Sequence, residues 1–298
     1  MRFLKRTALL FILLVLFFSL ALWGFIKNFP GKSIADAASN RLSSQTGMNI
    51  EFQDFELGWS KISTPEISIS TPNWQAGSVM RLLIFKNVEA PFTSIITSGK
   101  GMINGELHEG SVQISSELIS PKKLNMSLEN VQIETVPLFA LIPNTFVSGS
   151  LSMSIHISNL KDLYQKGGFP EGNLRGKIKD TRIQISSGPV LLDLQLPELT
   201  QTEILFDIEI GPVISLKEVE FKGSLEGTVS GTIQLNNNHL NMSLIDLNFF
   251  LKPSPDFNKE LSRYNKILAS FKCGETINVN MKGTFNRLNL PIRNKCSQ

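Results

Sequence analysis

The chain has 298 residues, enough for one large domain or two ordinary ones with a sizeable core. Apolar residues make up 42% and charged residues 18%, below the globular norm of about 25% charged, and the net charge is +3. Two Cys and three His exclude multi-cysteine zinc modules, ferredoxin-type clusters and disulfide-dense scaffolds.

Residues 1–7 form a basic tip holding Arg2, Lys5 and Arg6. Ala8–Ile26 follows as 19 residues without a charge. At 1.5 Å per residue, a helix of that length reaches about 28 Å, close to the ~30 Å hydrocarbon core of a bilayer. The basic tip places the N-terminus in the cytoplasm, and Trp23 lies near the far end, where interfacial aromatics collect. A cleaved signal peptide is the competing expectation. Its apolar core is usually about 7–15 residues, and the small-x-small site Ala35-Asp36-Ala37 lies well past the run, beyond Pro30. The expectation is therefore an uncleaved single-pass anchor over 8–26, with residues 27–298 outside as one β domain. No later apolar run reaches about 18 residues; Val136–Ile142 is short and carries Pro137. Residues 1–32 hold five of the 29 basic residues (Arg2, Lys5, Arg6, Lys27, Lys32) and no acid, leaving 24 basic against 26 acidic residues elsewhere. Nucleic acid is excluded as a partner by that balance.

Ser33–Ser44 reads as a short helix with Ile34, Ala38 and Leu42 on one face, ended by Gly47. The period then becomes two. Ile50 and Phe52 alternate with polar residues, as do Ile67 and Ile69, then Val112 and Ile114. The pattern continues through Leu151 to Ile157, Ile178 to Ile185, Leu194 and Leu196, and Ile204 to Ile210. Val219, Phe221, Leu225, Val229, Ile233 and Leu235 follow, and Ile277, Val279 and Met281 close the series. Such alternation predicts half-buried strands, and Gly and Asn at short intervals predict an antiparallel meander. Phe257, Leu261, Tyr264, Leu268 and Phe271 are spaced four and three apart, which predicts an amphipathic helix over Asp256–Cys273, opened by Pro255 and stopped by Gly274. Its expected role is to cap the sheet; a membrane-surface role is the alternative. Leu124–Leu128 (LNMSL) recurs as Leu240–Leu244, each copy after a Gly-punctuated hairpin, which suggests a weak internal duplication.

Motifs for catalysis are absent. Gly31-Lys32-Ser33 lacks the first glycine of a P-loop, since Ile26 stands there, and Ser230 is one place off a nucleophile elbow. His108, His156 and His239 each stand apart from other ligand-type residues, and no acidic pair marks an acid–base site. No catalytic, cofactor-binding or metal-binding residue is expected, and no enzyme activity. Cys273 and Cys296 lie outside the membrane on this topology, so a disulfide between them is open. Asn125-Met126-Ser127 and Asn241-Met242-Ser243 match the glycosylation sequon.

One order of motifs runs along nearly the whole chain. The basic tip and span lead to Phe29-Pro30, a short helix, Gly47–Glu51 and Leu57-Gly58-Trp59. Gly176–Asp180, Ser187-Gly188 and Leu196–Leu199 come next. The order then runs through Gly223–Leu235, Asn241–Leu244 and Leu251–Pro255, and closes with Gly283–Pro291. It resembles the type II secretion protein N (GspN) family and, more loosely, the AsmA-like envelope proteins. The resemblance implies a mainly β protein: an extended, twisted antiparallel sheet behind one transmembrane helix, bitopic in the bacterial inner membrane, with a periplasmic domain. It implies a non-enzymatic structural or assembly role among other type II secretion components. The AsmA-like alternative implies phospholipid binding or transfer in envelope maintenance. An open apolar trough would fit lipid, and a closed core a scaffold.

Overall fold

Period-two alternation along most of the chain after Asn49 leaves the backbone one economical solution, a run of hairpins, and the computed structural model has it. It describes residues 19–20, 23–46, 48–72, 79–117, 123–136, 145–159, 169–185, 197–236, 242–262, 272–284 and 287–289. The fold is mainly antiparallel β with few helices. The predicted span Ala8–Ile26 falls largely outside the described residues; 23–27 are helical, and no helix among the described residues is long and apolar enough to cross a membrane.

The chain divides into two units, 1–105 and 106–298. The first opens with helix α1, Gly31–Thr46, slightly longer than its sequence pattern. The expected apolar face is not the packed one: Ile34 and Leu42 are exposed, while Gly31 and Ala35 are buried. The reason lies in the strand edge beside it. Strand β1, Asn49–Phe52, turns backbone N–H groups toward the helix, and Ile50 and Phe52 donate to Ser43 Oγ at 2.9 Å and Ser39 Oγ at 3.0 Å. Hydroxyls one turn apart satisfy donors that an apolar face would have stranded. Gly31 permits the approach, since a Cβ there would stand 1.8 Å from the Phe55 carbonyl oxygen. β1 and the short β2 (Glu56–Leu57) both pair with β3 (Lys61–Pro72), which pairs with β4 (Val79–Pro91). Helix α2, Phe92–Ser98, ends at Gly99 in the left-handed conformation (φ 66°). Strand β5, Lys100–Leu107, carries the chain into the second unit.

The second unit is one long meander. β6 (Gly110–Glu117), β7 (Leu124–Gln132), β8 (Thr145–Ile157), β9 (Gly172–Ile185), β10 (Leu199–Ile210), β11 (Val213–Gly223), β12 (Leu225–Gln234) and β13 (Leu244–Pro253) pair in sequence order. β13 then pairs with β15 (Thr276–Thr284). The outer side of β15 meets β14 (Lys272–Cys273) at one end and β16 (Arg287–Asn289) at the other.

The helix predicted over Asp256–Cys273 is described at its start and at its end, and the two differ. Helix α3 covers Pro255–Leu261, with Ser254 as N-cap accepting from the Phe257 N–H at 3.3 Å and with Phe257 and Leu261 buried. Lys272–Cys273 is a strand, and Gly274 (φ 66°) turns the hairpin into β15 rather than ending a helix. Pairing with β15 satisfies backbone groups that a solvent-facing final helical turn would leave to water. Tyr264, Leu268 and Phe271 lie outside the described residues, as do Gly47, Leu194, Leu196, His239, Asn241 and Cys296. Met126 and Ser127 lie within β7, whereas Met242 and Ser243 lie just before β13.

Candidate functional site

Cross-strand partners point to the same side of a sheet, so the register decides which side chains meet. One row of partners crosses nine strands: Val112, Leu128, Met153, Gly176, Phe206, Val219, Val229, Phe249, Val279. The next row on that face reads Ile114, Met126, Ile155, Leu174, Ile208, Leu216, Gly231, Leu247, Met281. A third runs from Val131 through Leu151, Ile178, Ile204, Phe221, Gly227 and Leu251 to Ile277. None of the three contains a polar side chain. At ~4.8 Å between strands the first two are each about 38 Å long.

This face is open. Val112, Leu128, Val131, Ile204, Val229 and Leu247 of those rows are buried; the others are partly buried and keep a minor share of their solvent contact. A sheet face packed against a second layer loses nearly all of its solvent contact. Here the side chains are shielded chiefly by their in-plane neighbours. Glycines carve low points in it. Phe206 leans over Gly176, where a Cβ would come 2.7 Å from the ring. Gly227 and Gly231 have φ near 140°, and a Cβ there would stand 2.0 Å and 2.1 Å from the carbonyl oxygens of Phe250 and Asp246.

The opposite face is mostly polar and carries ion pairs across its strands, although Leu205 and the 53% exposed Phe250 also lie on it. Arg175 meets Asp207 at 2.9 Å, Lys217 meets Glu209 at 3.3 Å, and Lys222 lies 3.2 Å from Glu203 and 3.8 Å from Glu220. Lys282 meets Asp246 at 2.9 Å. The Glu203 hydrogen bond and the nearby Glu220 charge raise the Lys222 pKa. Hydrogen bonds from Lys282 and Asn280 lower that of Asp246.

Successive strands of the meander break their ladders near one level. β7 shifts register between Leu128 and Val131, at Asn130 (φ 55°), and β8 between Ser148 and Ser150, at Gly149 (φ 143°). Asp180 in β9 has φ 50°, and the β10–β11 ladder shifts between Gln201 and Glu203, beside Gly223 (φ 143°). Aligned bulges of this kind bend the strands and strengthen their twist. At this bend Thr181 and Gln201 are direct cross-strand partners, each only 2% exposed.

Of the candidate residues weighed in sequence, His156 sits on the polar face with Nδ1 2.5 Å from Asn125 Oδ1, so the first sequon asparagine is tied to its strand partner. His108 begins the β5–β6 turn at φ 45°. Among the described residues no three His, Cys, Asp or Glu side chains are grouped to hold a metal ion. Sequence reasoning missed β13 as a whole strand, although Ile245, Leu247, Phe249 and Leu251 alternate. It missed β4 because Leu83-Ile84-Phe85 masks the period. The bend left no pattern that alternation alone could flag. Comparison with known protein families, with curated proteins and with solved structures finds no match.

Proposed function

We propose that this chain is a non-enzymatic envelope protein that holds lipid acyl chains on the open apolar face of its second unit. In this reading Ala8–Ile26 anchors it in the bacterial inner membrane, with the β-sheet part in the periplasm. The observation that carries the reading is the apolar row from Val112 to Val279, unbroken across nine strands and mostly short of full burial. A sheet face in water gains nothing from staying open unless something apolar occupies it. The rows are about 38 Å long, more than the ~15 Å depth of one leaflet's hydrocarbon, so a whole acyl chain fits along them. The Arg175–Asp207 and Lys282–Asp246 pairs keep the other face in water.

The test is a photo-crosslinking amino acid placed one position at a time in the full chain in cells. Phospholipid adducts are expected from positions 206 and 216, and none from 154 or 218. Equal labelling of both faces, or none at either, overturns the reading.

A second reading, a structural component of the type II secretion machinery, rests on the motif order that resembles the secretion N family. The outer edge of the sheet adds to it. Among the described residues β14 covers Thr276–Ile277 of β15 and β16 covers Lys282–Thr284, and short edge strands are where a partner's strand can add. Proteomics of the culture medium from a strain lacking the gene separates the two. Selective loss of a few secreted proteins with periplasmic build-up favours secretion; an unchanged secreted set favours lipid handling.

A further inference from the structure

One end of the first unit exposes large apolar side chains of its own. Trp59, in the turn between β2 and β3, is 62% exposed, and Ile96, in α2, is 82% exposed. The two belong to one surface. Lys61 pairs with Pro91 across β3 and β4, and the Phe92 N–H at the start of α2 donates to the Ser60 carbonyl at 2.8 Å. Ile95 and Ile96 follow Phe92 by one helical turn and share its side of α2, and Ile95 is exposed as well.

Two observations say what covers this surface. The first is how α2 treats its polar atoms. Three of its four hydroxyls are turned back onto helix-end or helix carbonyls: Ser94 Oγ donates to Pro91 at 2.8 Å, Thr97 Oγ1 to Thr93 at 2.7 Å and Ser98 Oγ to Ser94 at 2.7 Å. The Gly99 N–H closes the last turn on the Ile95 carbonyl at 3.0 Å. No charged residue lies between Glu89 and Lys100. Hydroxyls satisfied by their own backbone need no water, which suits a helix lying against lipid. A protein partner would draw on such groups for direct hydrogen bonds.

The second observation is where the chain comes from. Gly31, the first residue of α1, follows closely on Ile26, the end of the uncharged run, and packs against Phe55, where a Cβ would stand 1.8 Å from the carbonyl oxygen. Phe55 precedes Trp59 by four residues, at most about 14 Å of chain. Just before this junction Trp23 and Phe25 are exposed, and Lys27 Nζ stands 5.2 Å from the centre of the Trp23 ring. Indole rings and ammonium groups collect at the bilayer interface, and Trp59 brings a second indole close to the same level.

We propose that this end of the first unit, through Trp59, Ile95 and Ile96, rests in the interface of the bilayer that Ala8–Ile26 is read as spanning. The inference rests on that anchor reading and not on lipid binding by the second unit. The bilayer then holds the first unit at two places, the span and this surface, and so fixes its orientation.

The test uses the full chain in phosphatidylcholine nanodiscs containing acyl-brominated lipid, with a fluorescent amino acid placed one position at a time at 17, 59, 96 and 51. Position 17 reports the anchor by itself. Position 51 is the control: Glu51 is exposed and pairs with Ser68, about 23 Å along β3 from Lys61. Bromine quenching is expected at 17, 59 and 96 and not at 51. Ile96 is too exposed for its replacement to disturb folding. Ile96→Asp is expected to reduce quenching at 59 at least about twofold, because a carboxylate resists burial in lipid, and to leave quenching at 17 and the far-UV circular dichroism unchanged. Quenching at 17 without quenching at 59 and 96 overturns the proposal and leaves the anchor reading intact. No quenching at 17 overturns the anchor reading and the proposal with it. Equal quenching at 51, or quenching at 59 that Ile96→Asp leaves unchanged, overturns the assignment of this surface.

Discussion

On one side of the β6–β15 sheet, the row through Phe206 and Val229 crosses nine strands without a polar side chain; on the other, Arg175, Asp207, Lys222 and Lys282 pair with opposite charges across the strands. The same backbone ladders serve both faces, so the difference lies wholly in side chains. Exposed ion pairs contribute little to stability, and on this face they compensate one another's charge across the strands. The apolar face supplies the hydrophobic stabilisation but, being only partly buried, less than a closed core would give. A protein built this way holds its shape through long ladders and in-plane contacts, and its unspent apolar surface is what we assign to lipid.

That contrast can be broken most sharply at one residue step. Val229 is 4% exposed on the apolar face, and Ser230 is exposed on the polar face. Val229→Asp is expected to cost about 3–5 kcal/mol, the range for an uncompensated buried charge. Ser230→Asp is expected to stay within about 0.5 kcal/mol. Urea denaturation of the two variants reads the difference, and equal losses would mean that the faces are misassigned.

Gly231→Val tests the low points of the apolar face. Its φ of 138° and the Asp246 carbonyl oxygen 2.1 Å from a built Cβ leave no unstrained place for a side chain. The expected loss is about 1–3 kcal/mol or more by the same measurement, and full stability would refute the close strand approach.

Phe206→Ala sharpens the question of cover. A fully buried Phe loses about 3–5 kcal/mol on truncation, and a partly buried one such as Phe206 less. A loss near 1.5–2 kcal/mol is expected in lipid-free buffer, roughly half that range. A loss above ~3 kcal/mol would show that a second layer covers the face.

The smallest effect belongs to the polar face and is read by pH. Lys282 and Asn280 hold the Asp246 carboxyl below the usual range, so its contribution to folding is present above the ordinary Asp value near ~3.9 and is lost as pH falls through its folded pKa. Lys222 runs the other way: its contribution is present below the ordinary Lys value near ~10.4 and is lost as pH rises through its raised pKa. In an NMR titration Lys282→Ala should move the Asp246 midpoint back up; an unmoved midpoint would remove the pair from the account.

Much of this was legible in the residues. Alternation at Leu151–Ile157, Ile204–Ile210 and Ile277–Met281 is a local property, and each became a strand with those side chains on one side, because side-chain direction repeats every two residues whatever the strand's neighbours are. Three things were decided only in three dimensions. Helix α1 turned Ser39 and Ser43 rather than Leu42 inward, since the N–H groups of β1 needed acceptors. Lys272–Cys273, the end of the predicted helix, became a strand, since it found a ladder partner in Thr276–Ile277. Thr181 and Gln201 came together because Asn130, Gly149, Asp180 and Gly223 bend neighbouring strands at one level. Which residues alternate is written in the order of the chain; which of them meet depends on register and backbone strain summed over distant strands, and no single stretch of sequence carries that sum.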